Sequence, residues 1–451
     1  MRQDLIDAFS KIVGADHVLT GKETLLEYAV AVTSGTSRMP DAIIEPADAM
    51  EVSRVLALAN AEKIPVYPRG YGSNLYNAMD PVAGGIILLL KRMNAILEID
   101  TANLAASVEP GVLVSDLNKE VQKSGLMYPP DPGTLSTATI GGLAAQNATS
   151  MRSLKYGVTK HYIMGLEVVL ADGRILNTGG KNVKDVAGYD LTKLMTGSEG
   201  SLGVFTKITV KLMPAPEQKK CLLASFKTLA DAGKAVEALL NDKIVPSALE
   251  LIDNATIRAL GNEIPAGLST AAAAALLIEF DGIPTVVESD TAKATAILQS
   301  HNVDHIVAAQ TAEEQSSLWA ARRAVLPALA KSNTRMYLTD LIIPRRKATD
   351  ALKAIGSIAE KNNLTIATFG HIGDGILHSA ILCNAADKNE ISRASSAINA
   401  IAAHALAAGG KFNSNFQKDL AGQSEIYARQ AIKQAFDPNN ILNPVNRVEE
   451  G

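Results

Sequence analysis

Apolar residues recur at helical spacing in some stretches of this chain and in short strand-like runs in others, and their order predicts its elements. Residues 1–40 read as a helical lead-in with a break at Ser34-Gly35-Thr36-Ser37. A strand at 42–46, an amphipathic helix at 49–62 and a strand at 64–68 follow, the last running into a glycine-rich loop. That is a strand–helix–strand unit with its loop at the carboxyl end of a strand, where open sheets bind ligands. Strands at 86–90 and 105–109 and a helix at 116–123 come next, then strands at 164–170, 175–177 and 204–212 that alternate as antiparallel neighbours do. Ala171-Asp172-Gly173 is a turn signal between two of them.

Met213-Pro214-Ala215-Pro216 reads as a domain exit. Beyond it, strands at 222–226, 248–252 and 273–280 are interleaved with helices at 228–241 and 286–300. Short links in that order predict an antiparallel sheet covered by helices on one face. An alanine-rich helix at 391–408 stops at Gly409-Gly410, and the 436–444 tail is a run of turn chemistry expected to pack back on the first domain. The expected division is therefore 1–215, 216–408 and a C-terminal segment 409–451, which suits a chain of 451 residues.

Composition narrows the classes. Hydrophobic residues make up 47% and charged residues 20%, as in a folded globular protein. A net charge of −4 with 4% aromatics and no basic run argues against a nucleic-acid partner. The two cysteines, Cys221 and Cys383, form no CxxC pair, which argues against an iron–sulfur cluster and suits a reducing compartment. The N-terminus reads as an acidic amphipathic helix rather than a signal peptide. Apolar runs such as 271–278 fall short of the roughly 20 residues of a membrane span. The expected location is cytoplasmic, with any membrane contact made through a partner.

Two sets of residues carry chemistry. The first is Pro68-Arg69-Gly70-Tyr71-Gly72-Ser73-Asn74, with Pro130-Asp131-Pro132-Gly133 and Ile140-Gly141-Gly142. Glycine loops let backbone N–H groups approach a diphosphate, because no Cβ intervenes. The second is His371-Ile372-Gly373-Asp374-Gly375-Ile376-Leu377-His378, which can bring two imidazoles to one cation or one reacting C–H bond. Together they point to a cofactor enzyme. The Trp319–Arg323 segment reads mainly as a packed helix and secondarily as a substrate contact, and His404 as a helix residue of core or surface.

These loops, with Arg152-Ser153-Leu154-Lys155-Tyr156-Gly157, Gly188-Tyr189-Asp190-Leu191 and 197–204 (Gly-Ser-Glu-Gly-Ser-Leu-Gly-Val), resemble the FAD domain of the vanillyl-alcohol-oxidase/PCMH flavoprotein superfamily. Within it the chain is most similar to the glycolate oxidase D-subunit and D-lactate/D-2-hydroxyacid dehydrogenase group, whose pattern includes the His371 motif and the Asn440-Ile441-Leu442-Asn443-Pro444 tail. The resemblance implies an α+β fold: a PCMH-type two-part FAD-binding domain plus a cap domain whose antiparallel sheet is covered by helices. It implies FAD contacts from Pro68, Arg69, Gly70, Tyr71, Gly72, Ser73, Asn74, Pro132, Gly133, Ser136, Thr137, Gly141, Gly142, Asn147, Glu199, Gly203, Val204 and Asn443. Asn147 and Glu199 can equally be structural hydrogen-bonders near the flavin. Residues 68–78 hold neither the His nor the Cys that tethers flavin in some relatives, so noncovalent FAD is expected.

In the hydroxyacid group a Glu-His-Gly segment after a Gly-Gly turn supplies a third metal ligand and a base. Here Asn415 and Phe416 stand at those places. Asn can lend one neutral oxygen to a divalent ion (Zn, Fe or Mn) held by His371 and His378; Phe accepts no proton. Either His371 or His378 serves as base, or the chemistry differs, or the dehydrogenase reaction is lost. The resemblance further implies that Arg345, or Arg346 beside it, faces a substrate carboxylate, which a guanidinium fork suits. The leading expectation is hydride transfer from a 2-hydroxy acid to flavin N5, with electrons leaving to an iron–sulfur subunit, an electron-transfer flavoprotein or a quinone. The rivals are a non-catalytic flavin subunit of a larger complex and a metal-free sugar or alcohol oxidase.

Overall fold

The computed structural model describes residues 1–29, 39–73, 81–331, 335–414 and 422–444. They fall into two units, one built from Met1–Ser150, Val158–Ala215 and Ala421–Gly451, the other from Met151–Gly157 and Pro216–Leu420. Asn74, Asn415, Phe416 and the break at 34–37 lie outside the described residues.

In the first unit, β1 (Val18–Leu19), β2 (Ala42–Ile44), β3 (Val66–Arg69) and β4 (Ile86–Leu89) form a sheet in the order β1-β2-β4-β3. The strands β2 and β3 run parallel to β4, which lies between them. A central parallel strand is covered on both sides, which explains why Ile86, Ile87, Leu88 and Leu89 read as an unbroken apolar run. The crossover helix Ala49–Ala61 is N-capped by Asp48, whose Oδ1 accepts from the Glu51 N–H at 2.8 Å. Its Val52, Val55, Leu56 and Ala59 are buried with Phe9, Val66 and Ile86 in one core.

A second sheet holds β5 (Ile96–Asp100), β6 (Ala105–Val108), β8 (Ile163–Val169), β9 (Ile175–Gly179) and β10 (Val204–Lys211), in the order β5-β6-β10-β8-β9. Two short strands, β7 (Leu126–Met127) and β11 (Met213–Pro214), pair separately. The edge strand β5 has no buried residue, so its pattern carried no strand signal.

The second unit is one eight-stranded sheet. Its strands are β12 (Gln218–Phe226), β13 (Ala248–Asp253), β14 (Ala274–Gly282), β15 (Val303–Ala308), β16 (Arg335–Ile342), β17 (Thr365–Gly370), β18 (Ile376–Cys383) and β19 (Lys411–Ser414). They follow the order β15-β12-β14-β13-β17-β18-β16-β19, and every pairing is antiparallel. The expected C-terminal segment 409–451 thus divides: β19 belongs to this sheet, and helix Gln423–Phe436 to the first unit.

Side chains alternate across a strand, and this sheet separates its two faces sharply. Leu222, Ala224, Leu276, Ile278, Leu249 and Leu251 point to one face, where the helices Leu229–Asn241, Pro284–Ser300, Ala348–Asn362 and Lys388–Ala407 bury them. Each such leucine contributes about 2 kcal/mol by burial. The opposite face carries Glu250, Glu279 and Asp281 at alternate positions. It also carries one row of directly opposed residues, Ser225–Ala275–Ile252–Phe369–His378–Asp340–Asn413. Helix Ala312–Ala330 lies on this face, tied by Trp319 and Arg322 to its buried acids. Helices therefore cover both faces, not one: this helix buries Leu318, Ala321, Val325 and Leu329 and adds polar bonds to the buried acids, which apolar periodicity does not reveal. Among the described residues no helix is long and apolar enough to cross a membrane.

Candidate active site

In the first unit the glycine loops converge through contacts that leave no room for side chains. A Cβ at Gly70 would lie 2.8 Å from Thr139 Oγ1. That oxygen is in use: it caps helix Ile140–Gln146 by accepting from the Gly142 N–H at 3.0 Å. Gly141 is equally constrained, since a Cβ there would lie 2.6 Å from Pro110 Cβ. Gly133, Ser136, Thr137 and Gly142 are exposed around this helix start, and Tyr71, Gly72 and Ser73 are exposed or half-buried after β3.

The 197–203 loop joins the same cluster. Gly197 and Glu199 donate backbone N–H groups to Ala144 O at 2.9 Å and Ala145 O at 2.8 Å. Asn147 fixes the far end of the helix, its Oδ1 accepting from the Lys160 N–H at 2.9 Å, while Asn443 Nδ2 donates to Glu199 O at 2.8 Å. Arg69 donates to Tyr28 O at 3.0 Å. Gly203 and Val204 are buried in the β8–β10 pairing. Two features of these loops suit a dinucleotide. The loops need glycine where they meet, and Ser198 Oγ is buried with no hydrogen-bond partner among the described residues, a polar group that awaits one.

In the second unit, His371 and His378 flank the tight turn 372–375. Their rings are 5.3 Å apart at 84°. Each is anchored through Nδ1 by a carboxylate: His371 to Glu250 Oε1 at 2.5 Å, His378 to Asp340 Oδ1 at 2.6 Å. With Nδ1–H given to a carboxylate, the neutral imidazole keeps its lone pair on Nε2, free for a proton or a cation. Burial opposes ionisation of Glu250, but the charge of Arg322 and the hydrogen bonds from His371 and Arg322 outweigh it and hold its carboxyl at about 2. Arg322 lies 2.6 Å from Glu250 through Nη2 and stacks over Phe369.

Asp374, in the turn, is pushed up to about 7 by burial and by the charge of Glu250, partly offset by Arg345. Arg345 itself is exposed, opening the short 3-10 turn Arg345–Lys347 that follows β16, its backbone beside Gly375. Asn413 Oδ1 is buried and without a hydrogen-bond partner among the described residues, on the same face as His378 and Asp340. Two imidazoles anchored in this way suit a divalent ion, yet no group of three His, Cys, Asp or Glu able to hold one exists among the described residues.

A second buried acid lies further along the same face. Glu279 Oε1 accepts from Arg152 Nε at 2.8 Å and Ser247 Oγ at 3.1 Å, and Oε2 from Trp319 Nε1 at 2.8 Å. Asp281 receives Lys155 Nζ at 2.6 Å and Tyr156 Oη at 2.8 Å, so segment 151–157 is built into the second unit. Sequence reading passed over Glu250, Glu279 and Asp340, and reached Arg322 only within the Trp319–Arg323 segment. The available signal was one acid in the middle of an apolar strand, as in Leu249-Glu250-Leu251 and Ile278-Glu279-Phe280. Burying a charge there is costly unless a partner meets it.

Glycine loops suited to a dinucleotide in one unit and an imidazole–carboxylate pair in the other are the parts a cofactor-dependent oxidoreductase needs. Residues 40–179 match the FAD binding domain family, and residues 215–446 match the C-terminal domain of FAD linked oxidases. The chain is 41% identical to the glycolate oxidase subunit GlcD of Bacillus subtilis, covering 98% of this chain and 96% of that protein. It is 31% identical to a D-lactate dehydrogenase of Anaerostipes hadrus over 98% and 96%. Among solved structures, p-cresol methylhydroxylase superposes with a TM-score of 0.79 at 20% identity, over 99% of this chain and 96% of that one. The chain belongs to the FAD-linked oxidases, with the PCMH-type fold, in the group of glycolate oxidase D-subunits and D-lactate dehydrogenases. It is an FAD-linked oxidoreductase, and its cofactor is FAD.

Proposed function

We propose that this enzyme oxidises a small 2-hydroxy acid of the glycolate or D-lactate kind to the 2-oxo acid. The observation that carries the reading is the pair of imidazoles anchored by Glu250 and Asp340 in a chain 41% identical to a protein named as a glycolate oxidase subunit. FAD supplies the hydride acceptor. The first unit holds it noncovalently through Pro68 to Asn74, Pro132, Gly133, Ser136, Thr137, Gly141, Gly142 and the 199–204 loop, with Asn147 and Asn443 fixing those segments.

The second unit binds and orients the acid. Arg345 meets the carboxylate, and His371 and His378 present Nε2 to the 2-hydroxyl. They would hold a divalent ion with Asn415, which would acidify that hydroxyl. A metal-free reading is favoured by the lack of a third His, Cys, Asp or Glu among the described residues. In it, His378 Nε2 takes the hydroxyl proton while Asp340 holds the ring. Electrons then pass to an iron–sulfur subunit, an electron-transfer flavoprotein or a quinone, a step supported by two relatives being named as subunits. We place the enzyme in the cytoplasm, with any membrane contact made through that partner.

Steady-state turnover with a dye acceptor tests this, using D- and L-2-hydroxy acids with and without a chelator. The reading expects 2-oxo acid in stoichiometric yield from one enantiomeric series. Turnover of sugars or simple alcohols in preference to every hydroxy acid contradicts it.

A further inference from the structure

Outside both sites, the first unit buries an ion pair that neither mechanism uses. Lys433, on helix Gln423–Phe436, keeps only 8% of its side chain exposed, and Asp437 keeps none. Lys433 Nζ donates to Asp437 Oδ2 at 2.5 Å, to Ser201 O at 2.9 Å and to Leu442 O at 2.7 Å. Asp437 in turn accepts from the Ile441 and Leu442 N–H groups at 3.0 and 2.7 Å. The 441–443 tail lies along β3: Val66 N–H donates to Ile441 O at 2.8 Å, and Asn443 N–H to Val66 O at 2.9 Å. One buried cation therefore ties the start of the strand that leads into the first glycine loop to the loop that contains Ser201.

That second loop is strained. Glu199 sits at φ 54°, in the left-handed region that disfavours a residue with a Cβ, and Gly200 follows at φ 74°. A Cβ at Gly200 would lie 3.2 Å from Pro68 Cγ, so the two loops are also in tight contact there. A strained segment persists only where its surroundings over-determine it. Here the carbonyl of Glu199 is held by Asn443 and that of Ser201 by Lys433.

We propose that Lys433 and Asp437 are positioning residues for the cofactor: the pair holds the 199–201 loop and the 68–73 loop in one mutual geometry before FAD arrives. The inference rests on the assignment of these loops to FAD. Preorganisation appears as affinity, because a loop already ordered loses less entropy when it binds. Lys433→Arg keeps the cation and the donors. Lys433→Met removes both and leaves Asp437 buried alone. The double variant Lys433→Met/Asp437→Asn leaves no unpaired charge, so it keeps the comparison open if the single variant does not fold.

The test is FAD titration of apo-protein by quenching of flavin fluorescence, with visible circular dichroism of the bound flavin and thermal melting of the apo-protein. The expected result is a dissociation constant for FAD raised at least tenfold in Lys433→Met or the double variant. An altered flavin dichroism should accompany it, with both restored in Lys433→Arg. Apo-protein that melts earlier but binds FAD within twofold of wild type, with unchanged dichroism, overturns the proposal and makes the pair purely structural. Wild-type protein that takes up no FAD overturns the loop assignment itself, and a change confined to the variants does not touch it.

Discussion

His378 and Asp340 face each other across neighbouring antiparallel strands, with Nδ1 2.6 Å from Oδ1. The register of β18 against β16 alone places them in contact, and Phe369 and Asn413 extend the same row on either side. An aspartate in that position fixes both the plane of the ring and the nitrogen that keeps its lone pair. The nitrogen left to face outward is thus chosen by a strand pairing 38 residues away in sequence.

Asp340→Asn should leave the sheet intact and lower kcat by about 10–100-fold, the usual cost of losing a partner that orients a histidine. Steady-state kinetics, with circular dichroism to check the fold, measures both.

Glu250 makes a different prediction, about stability. Its carboxyl is held at about 2, below its ordinary 4.5. A depressed carboxylate contributes stability above its unfolded pKa and loses it as pH falls through the folded value. Glu250→Gln strands Arg322 in the interior and should cost about 3 kcal/mol at neutral pH. The gap from wild type should then narrow as pH falls from 4.5 towards 2. Urea denaturation of both proteins at several pH values measures it, and a gap independent of pH refutes the pairing as its source.

Gly70→Ala asks whether the close contact with Thr139 matters to the cofactor. The new Cβ must displace the Oγ1 that caps helix Ile140–Gln146. Losing a cap costs about 1 kcal/mol, so the variant should fold yet hold FAD about tenfold more weakly. Retention of flavin through gel filtration and a fluorescence titration read this out.

Arg345 and Arg346 are neighbours with different expected consequences. Arg345→Ala should raise KM by about 10–100-fold, as loss of a charge-assisted bond of about 1.5–3 kcal/mol implies. It should leave kcat less affected, and Arg346→Ala should be near neutral. Equal effects from both would remove the distinction.

Much of the fold was legible because it is written in local pattern. The alternation in β9 and β10, the capped helix after β2 and the glycine loop after β3 each follow from residues close together in sequence. What escaped is non-local. Glu250 meets His371 across 121 positions, and Arg152 meets Glu279 across 127. No window along the chain contains such pairs, although a lone acid inside an apolar strand announces that some partner must exist. Segment 151–157 joined the second unit for the same reason, since Lys155 and Tyr156 find Asp281 there. The edge strand β5 was missed because an edge strand need not alternate.

The most direct test of the account is anaerobic mixing of the FAD-loaded enzyme with glycolate and with D- and L-lactate, following the flavin's visible absorption. The account predicts bleaching by a 2-hydroxy acid, and loss of that bleaching in a His378→Ala variant that still holds FAD. A flavin that stays oxidised with every acid in the wild-type enzyme would contradict it and leave a flavin subunit without hydroxyacid chemistry of its own.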